Sequence, residues 1–132
     1  EKNGEWIHYP IEINLRKGGT THPYLMMNFL TDGKYHSDKG IYIIKTGQER
    51  CYFSSDNLMH ESYKGLTPHD MIEIAMDNNL MFNGAAQEGV MFHMIGALSQ
   101  YGKLGVVCIG KTKEAAMAFY NRTKEVLSES CR

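Results

Sequence analysis

The densest chemistry in this 132-residue chain lies in residues 12–23, which read Glu-Ile-Asn-Leu-Arg-Lys-Gly-Gly-Thr-Thr-His-Pro. On a strand, alternate residues share a face, so Glu12, Asn14 and Arg16 are expected to point one way. Ile11, Ile13 and Leu15 would then take the opposite, apolar face. A carboxylate beside an amide oxygen is a hard oxygen pair suited to Mg²⁺, which binds through one or two carboxylates together with substrate phosphates. Arg16, one step further, could hold a phosphate or a developing oxyanion. Gly18, Gly19, Thr20 and Thr21 then form a tight loop running into a helix, whose backbone N–H groups are a ready site for an anion. Glycine in such a loop admits a ligand close to the backbone, where a Cβ would block it. The same residues could also be an ordinary solvated strand face entering a glycine turn.

The elements that must position these residues are legible around them. Asn3-Gly4 is a strong hairpin-turn signal, because a type I′ turn needs positive φ at both central residues. Residues 6–15 follow as a β-rich run. Only Glu1 and Lys2 stand on the other side of the turn, so either the chain begins with a frayed turn or, the favoured reading, it is the tail of a longer polypeptide cut inside a hairpin. A helix is expected over residues 23–30, ending at Asp32-Gly33. A polar stretch through Gly40 leads to a second hairpin, residues 41–45 and 51–53 about a Gly47-Gln48 turn. Thr67, Pro68 and Asp70 open a helix as N-cap, first position and first-turn acid, and Ile72, Ala75, Met76, Asn79 and Leu80 recur at helical spacing. Residues 89–95 read as a buried strand, turned back by residues 99–103 into a strand over 104–109. The last helix presents Ala116, Phe119, Tyr120, Thr123, Val126 and Leu127 on one face, with Lys111, Lys113, Arg122 and Lys124 solvated. This pattern is α+β, with a mostly antiparallel sheet, hairpin links and about three helices.

Glu12-x-Asn14 resembles the terminal Mg²⁺-binding strand of ATP-grasp carboxylate–amine ligases. Members like D-alanine–D-alanine ligase carry E-x-N-x-x-P-G-x-T, which Glu12, Asn14, Gly18 and Thr20 match while Lys17 replaces the proline. Members like biotin carboxylase carry E-x-N-x-R, which Arg16 matches. The longer string from Glu12 to Pro23 is similar to the pheganomycin-type peptide ligases. Those also carry a C-terminal extension reminiscent of the segments starting at Gly89 and Gly102. The resemblance implies an enzyme that phosphorylates a small-molecule or peptide carboxylate with ATP and lets an amine attack the acyl phosphate. In that scheme Glu12 and Asn14 are Mg²⁺ ligands, and Arg16 is the catalytic cation on the transferred phosphoryl group. Gly18, Gly19, Thr20 and Thr21 contact ATP phosphates or the pocket edge, with His22 beside them.

The resemblance also implies N-terminal ATP-grasp domains that the few residues before Glu12 cannot supply. Residues 1–23 then read as the end of an ATP-grasp domain and 24–132 as a C-terminal α+β domain. The chain alone is expected to be inactive. A non-catalytic α+β docking or dimerisation module that kept an ancestral loop is the alternative.

Composition narrows the partners. With 14 Lys and Arg against 15 Asp and Glu, the formal net charge is −1, which argues against an electrostatic nucleic-acid binder. No run of about 18 apolar residues exists to cross a membrane. Cys51, Cys108 and Cys131 are an odd number with no C-x-x-C pair, so a reducing, cytoplasmic setting is expected. Cys108, inside Val106-Val107-Cys108-Ile109, reads as a buried small hydrophobe. Gly96 to Lys103 fails the phosphate-binding loop pattern, with five residues between the glycines and Leu104 where Ser or Thr is needed. The six histidines show no zinc spacing, and His93 reads as a hydrogen-bonded core residue.

Overall fold

A computed structural model describes residues 4–10, 13 and 16–131. The chain enters helix α1 (Thr21–Thr31), then strands β1 (Lys34–His36), β2 (Ile41–Ile43) and β3 (Glu49–Met59). After helix α2 (Pro68–Asp77) come β4 (Gly89–His93), the short helix α3 (Leu98–Tyr101), β5 (Lys103–Gly110) and the long helix α4 (Lys113–Ser130). The five strands form one antiparallel sheet in the order β1-β2-β3-β5-β4, so β5 is inserted between β3 and its own predecessor β4. The α+β class with a mostly antiparallel sheet is borne out, with four helices among the described residues where about three were expected.

Local chemistry explains most boundaries. Thr67 Oγ1 accepts from the Asp70 N–H while Asp70 Oδ2 accepts from the Thr67 N–H, closing a capping box with Pro68 at the first helical position. Thr112 caps α4 by accepting from the Ala115 N–H. α1 stops where Asp32 turns left-handed and its N–H bonds the Asn28 carbonyl. Gly33 follows because a Cβ there would run into the Tyr42 ring. The hairpin about Gly47 forms as expected, with Gly47 at φ +83°.

Three local expectations are corrected. Residues 6–10, 13 and 16 carry no strand, and none of them is among the described partners of the five sheet strands. The polar stretch before Gly40 contains β1, which forms because β2 offers it an antiparallel partner. On α2 the buried positions are Met71 and Ala75, while Ile72 and Met76 are exposed, so the inward face is rotated from the expected one. On α4 the expected face is correct: Ala116, Thr123, Val126 and Leu127 are buried.

The sheet is covered on both faces, which is why β5 is buried along almost its whole length and reads as a continuous apolar run. Leu104, Val106 and Cys108 point into one core with Met71 and Ala75 of α2 and Val126 and Leu127 of α4. Val107 and Ile109 point the other way, against Met27 of α1 with Tyr42 and Ile44. Burial pushes the Cys108 thiol up to about 12, so it stays protonated and packs as a small hydrophobe.

Candidate functional site

The expected metal ligands Glu12 and Asn14 lie outside the described residues. Arg16 sits at an exposed bend and Lys17 beside it is also exposed. Gly18 and Gly19 lead into a turn in which the Thr21 N–H donates to the Gly18 carbonyl at 3.0 Å. Thr20 is the N-cap of α1, but in helical backbone, with no side-chain hydrogen bond to the first turn and no acidic side chain there. The first turn therefore keeps its electropositive end unneutralised by its own side chains. Among the described residues, a Cβ built on Gly18 or Gly19 would meet nothing within 4 Å, and neither has a positive φ. Nothing in the backbone or its described neighbours demands glycine at these two positions.

Two residues after this loop, His22 connects it to the sheet. Its ring lies on the ring of His93 from β4, with centroids 4.5 Å apart and planes tilted by 57°. His93 in turn lies across Gly105 of β5, its register partner, where a Cβ would collide with the His93 ring at Cε1. Because Gly105 has no side chain, His93 Nε2 reaches to 3.5 Å from Asp56 Oδ1 on β3. The register irregularity between Ser55 and Leu58 brings Asp56 to that position. Asp56, Gly105 and His93 thus make one row across three strands, with His22 stacked on its end.

His93 differs from its expected role. Its side chain is 14% exposed, its Nε2 is buried, and among the described residues that atom has no hydrogen-bond partner. The 3.5 Å approach to Asp56 is too long for a charge-assisted hydrogen bond, and it becomes an ion pair only on protonation. Desolvation holds the His93 imidazolium down, the neighbouring His22 adds to this, and Asp56 opposes it. Between its lowered value and the ordinary histidine range near 6.5, the unfolded chain binds more protons than the folded one. Stability from this site is therefore complete above about pH 6.5 and is lost as the pH falls below it. His93→Gln is expected to flatten that decline. Comparing melting temperatures at pH 7 and pH 5 checks this, and an equal drop in both proteins refutes it.

The row was not legible in the sequence, although Gly105 inside an apolar strand is the kind of residue that marks a close approach. A cleft of about 710 Å³ lies elsewhere and is lined by Tyr24, Met27, Tyr42, Tyr52, Phe53 and Met117 among others; none of residues 16–21 lines it. Arg50 on its wall is buried, with Nε donating to the Gln87 carbonyl and Nη2 to the Ala86 carbonyl, both at 2.8 Å, so its charge fastens the 83–88 loop. Among the described residues no three His, Cys, Asp or Glu side chains form a metal-binding group. No helix there is long and apolar enough to cross a membrane.

Comparison with known proteins adds an independent line. Residues 70–123 match the family described as PGM1 C-terminal domain. The chain is 28% identical over 117 residues to an L-propargylglycine–L-glutamate ligase of Streptantibioticus cattleyicolor, covering 89% of this chain and 24% of the relative. The chain thus spans about a quarter of the length of the curated relative it matches. No solved structure matches it significantly. Both matches support a similarity of the chain to the C-terminal part of an ATP-grasp protein, the family match lying at residues 70–123.

Proposed function

We propose that this C-terminal ATP-grasp part belongs to an ATP-dependent carboxylate–amine ligase, and that residues 12–21 are its contribution to phosphoryl transfer. The observation that carries the reading is the pair Gly18 and Gly19, with no described atom within 4 Å of where a Cβ would stand and no positive φ. No described neighbour requires glycine there, and its absence of a side chain suits a group that must approach the backbone. The ligase similarity over most of the chain names a reaction class with such a group.

Phosphoryl transfer asks for positioning and charge neutralisation rather than a protein nucleophile. The carboxylate of Glu12 and the amide oxygen of Asn14 are the hard donors that would hold Mg²⁺, with phosphate oxygens completing its shell. Bound there, Mg²⁺ supplies charge neutralisation and a template for the phosphates. The Arg16 guanidinium would offer paired N–H donors to the transferred phosphoryl group, and the Gly18–Gly19 backbone would serve the same oxygens. The Thr20 and Thr21 hydroxyls would border that position, and His22 holds the loop's exit against the sheet. Activation of the carboxylate as an acyl phosphate prepares it for the amine. Residues 1–23 would close the ATP-grasp domain and 24–132 would form its C-terminal α+β companion. A small-molecule or peptide acid and an amine are the substrates, and the setting is cytoplasmic.

Gly19→Val tests the reading in the full-length polypeptide. Because a Cβ at 19 meets no described atom within 4 Å, the melting temperature is expected to stay within about 2 °C, as for ordinary surface substitutions. ATP-dependent phosphate release is expected to fall roughly 100-fold, the scale of losing one preorganised anion contact. Full activity in this variant would refute the role of the loop. An unsubstituted full-length protein without any ATP-dependent release would favour the non-catalytic module instead.

A further inference from the structure

The sequence of α1, Thr-His-Pro-Tyr-Leu-Met-Met-Asn-Phe-Leu-Thr, contains no Asp, Glu, Lys or Arg over 11 residues. Its inner side is accounted for: Pro23, Met27 and Thr31 are buried against the sheet. Its outer side is not. Phe29 is 89% exposed and Leu25, four residues earlier on the same face, is 45% exposed. A surface helix ordinarily carries charged residues on its outer face, and α1 instead exposes Leu25 and Phe29 there with no charge. α4 shows the contrast within the same fold, with Lys113, Glu114, Arg122, Lys124 and Glu125 exposed on its outer side.

We infer that the outer face of α1, centred on Leu25 and Phe29, is an intramolecular interface that packs against the part of a full-length polypeptide preceding residue 1. Two facts favour that occupant over an unrelated protein. The matched relative is about four times longer than the stretch this chain covers, so ample chain exists in such a protein to supply a cover. The face is also continuous with the candidate site, since α1 begins at Thr21, directly after Gly18, Gly19 and Thr20. A domain seated on Leu25 and Phe29 would stand beside the Gly18–Thr21 loop, where phosphates delivered by that domain are needed. The inference rests on the ligase reading for the identity of the occupant, while the contact itself is read from the surface.

Thiol labelling tests it. Phe29→Cys is made in both the 132-residue chain and the full-length polypeptide, with Glu129→Cys, exposed on α4, as the control. Labelling at position 29 is expected to be at least 10-fold slower in the full-length protein, with position 129 reacting alike in both. Equal labelling at position 29 overturns the inference. So does protection already present in the 132-residue chain together with sedimentation as a dimer, which would assign the face to a second copy. Hydroxyl-radical footprinting of Phe29 in the unsubstituted proteins gives the same reading should the variant misfold. Protection without ATP-dependent phosphate release would sink the ligase reading and keep the interface. Release without protection would do the reverse.

Discussion

Gly89→Ala is expected to cost about 4 kcal/mol of stability, adding roughly 1–3 for backbone strain and 1–3 for overpacking. Gly89 has φ +126°, a region that side-chain-bearing residues rarely enter. A Cβ there would also stand 2.7 Å from the Met81 carbonyl and 2.8 Å from Phe82 Cα, both backbone atoms that cannot swing aside. The contact matters because this is where the chain after α2 joins the sheet. The Val90 N–H donates to Leu80 O and the Phe82 N–H to Val90 O. Arg50 holds the intervening loop at the Ala86 and Gln87 carbonyls. With about 130 residues, a loss of that size lowers the melting temperature by roughly 15 °C. Gly47→Ala is the comparison: φ is +83°, but nothing stands within 4 Å, so strain acts alone. Equal losses in the two variants by thermal or urea denaturation would show that the close approach to residues 81–82 contributes nothing.

Glu12→Ala is expected to reduce ATP-dependent phosphate release by about 10³-fold in the full-length polypeptide. Where phosphoryl transfer depends on charge neutralisation, removing the carboxylate that holds the metal removes most of the rate. Glu12→Asp keeps the charge and shortens the reach, so it should fall between the two. Asn14→Ala removes a neutral donor and should cost less than Glu12→Ala. Calorimetry of Mg²⁺ and ATP binding separates lost binding from lost chemistry. Release within twofold of the unsubstituted protein would remove Glu12 from the site.

These predictions rest on different layers of information, and the division follows the range of the interactions involved. The helix starts at Thr67 and Thr112, the stop at Asp32-Gly33 and the turn at Gly47 were all legible because caps and turns are set by residues a few positions apart. The buried face of α4 was legible for the same reason, as was the burial of Cys108 inside a strand apolar on both faces. The chemistry proposed for residues 12–21 is likewise a matter of residue type and spacing along a short stretch. What failed were readings that needed a partner. Residues 6–10 have strand propensity but pair with no described strand, and β1 formed from a polar stretch because β2 was there to pair with it.

The sequence by itself thus determined the turns, caps, apolar periodicities and the oxygen- and nitrogen-rich string that points to phosphate chemistry. Only the tertiary structure decided that β5 enters between β3 and β4, that Gly105 clears the space for His93 to face Asp56, and that His22 closes the row from α1. These contacts join residues from four elements, and no local rule relates their positions along the chain. They are settled by which apolar faces the sheet must bury, and that competition is resolved only when the whole chain packs.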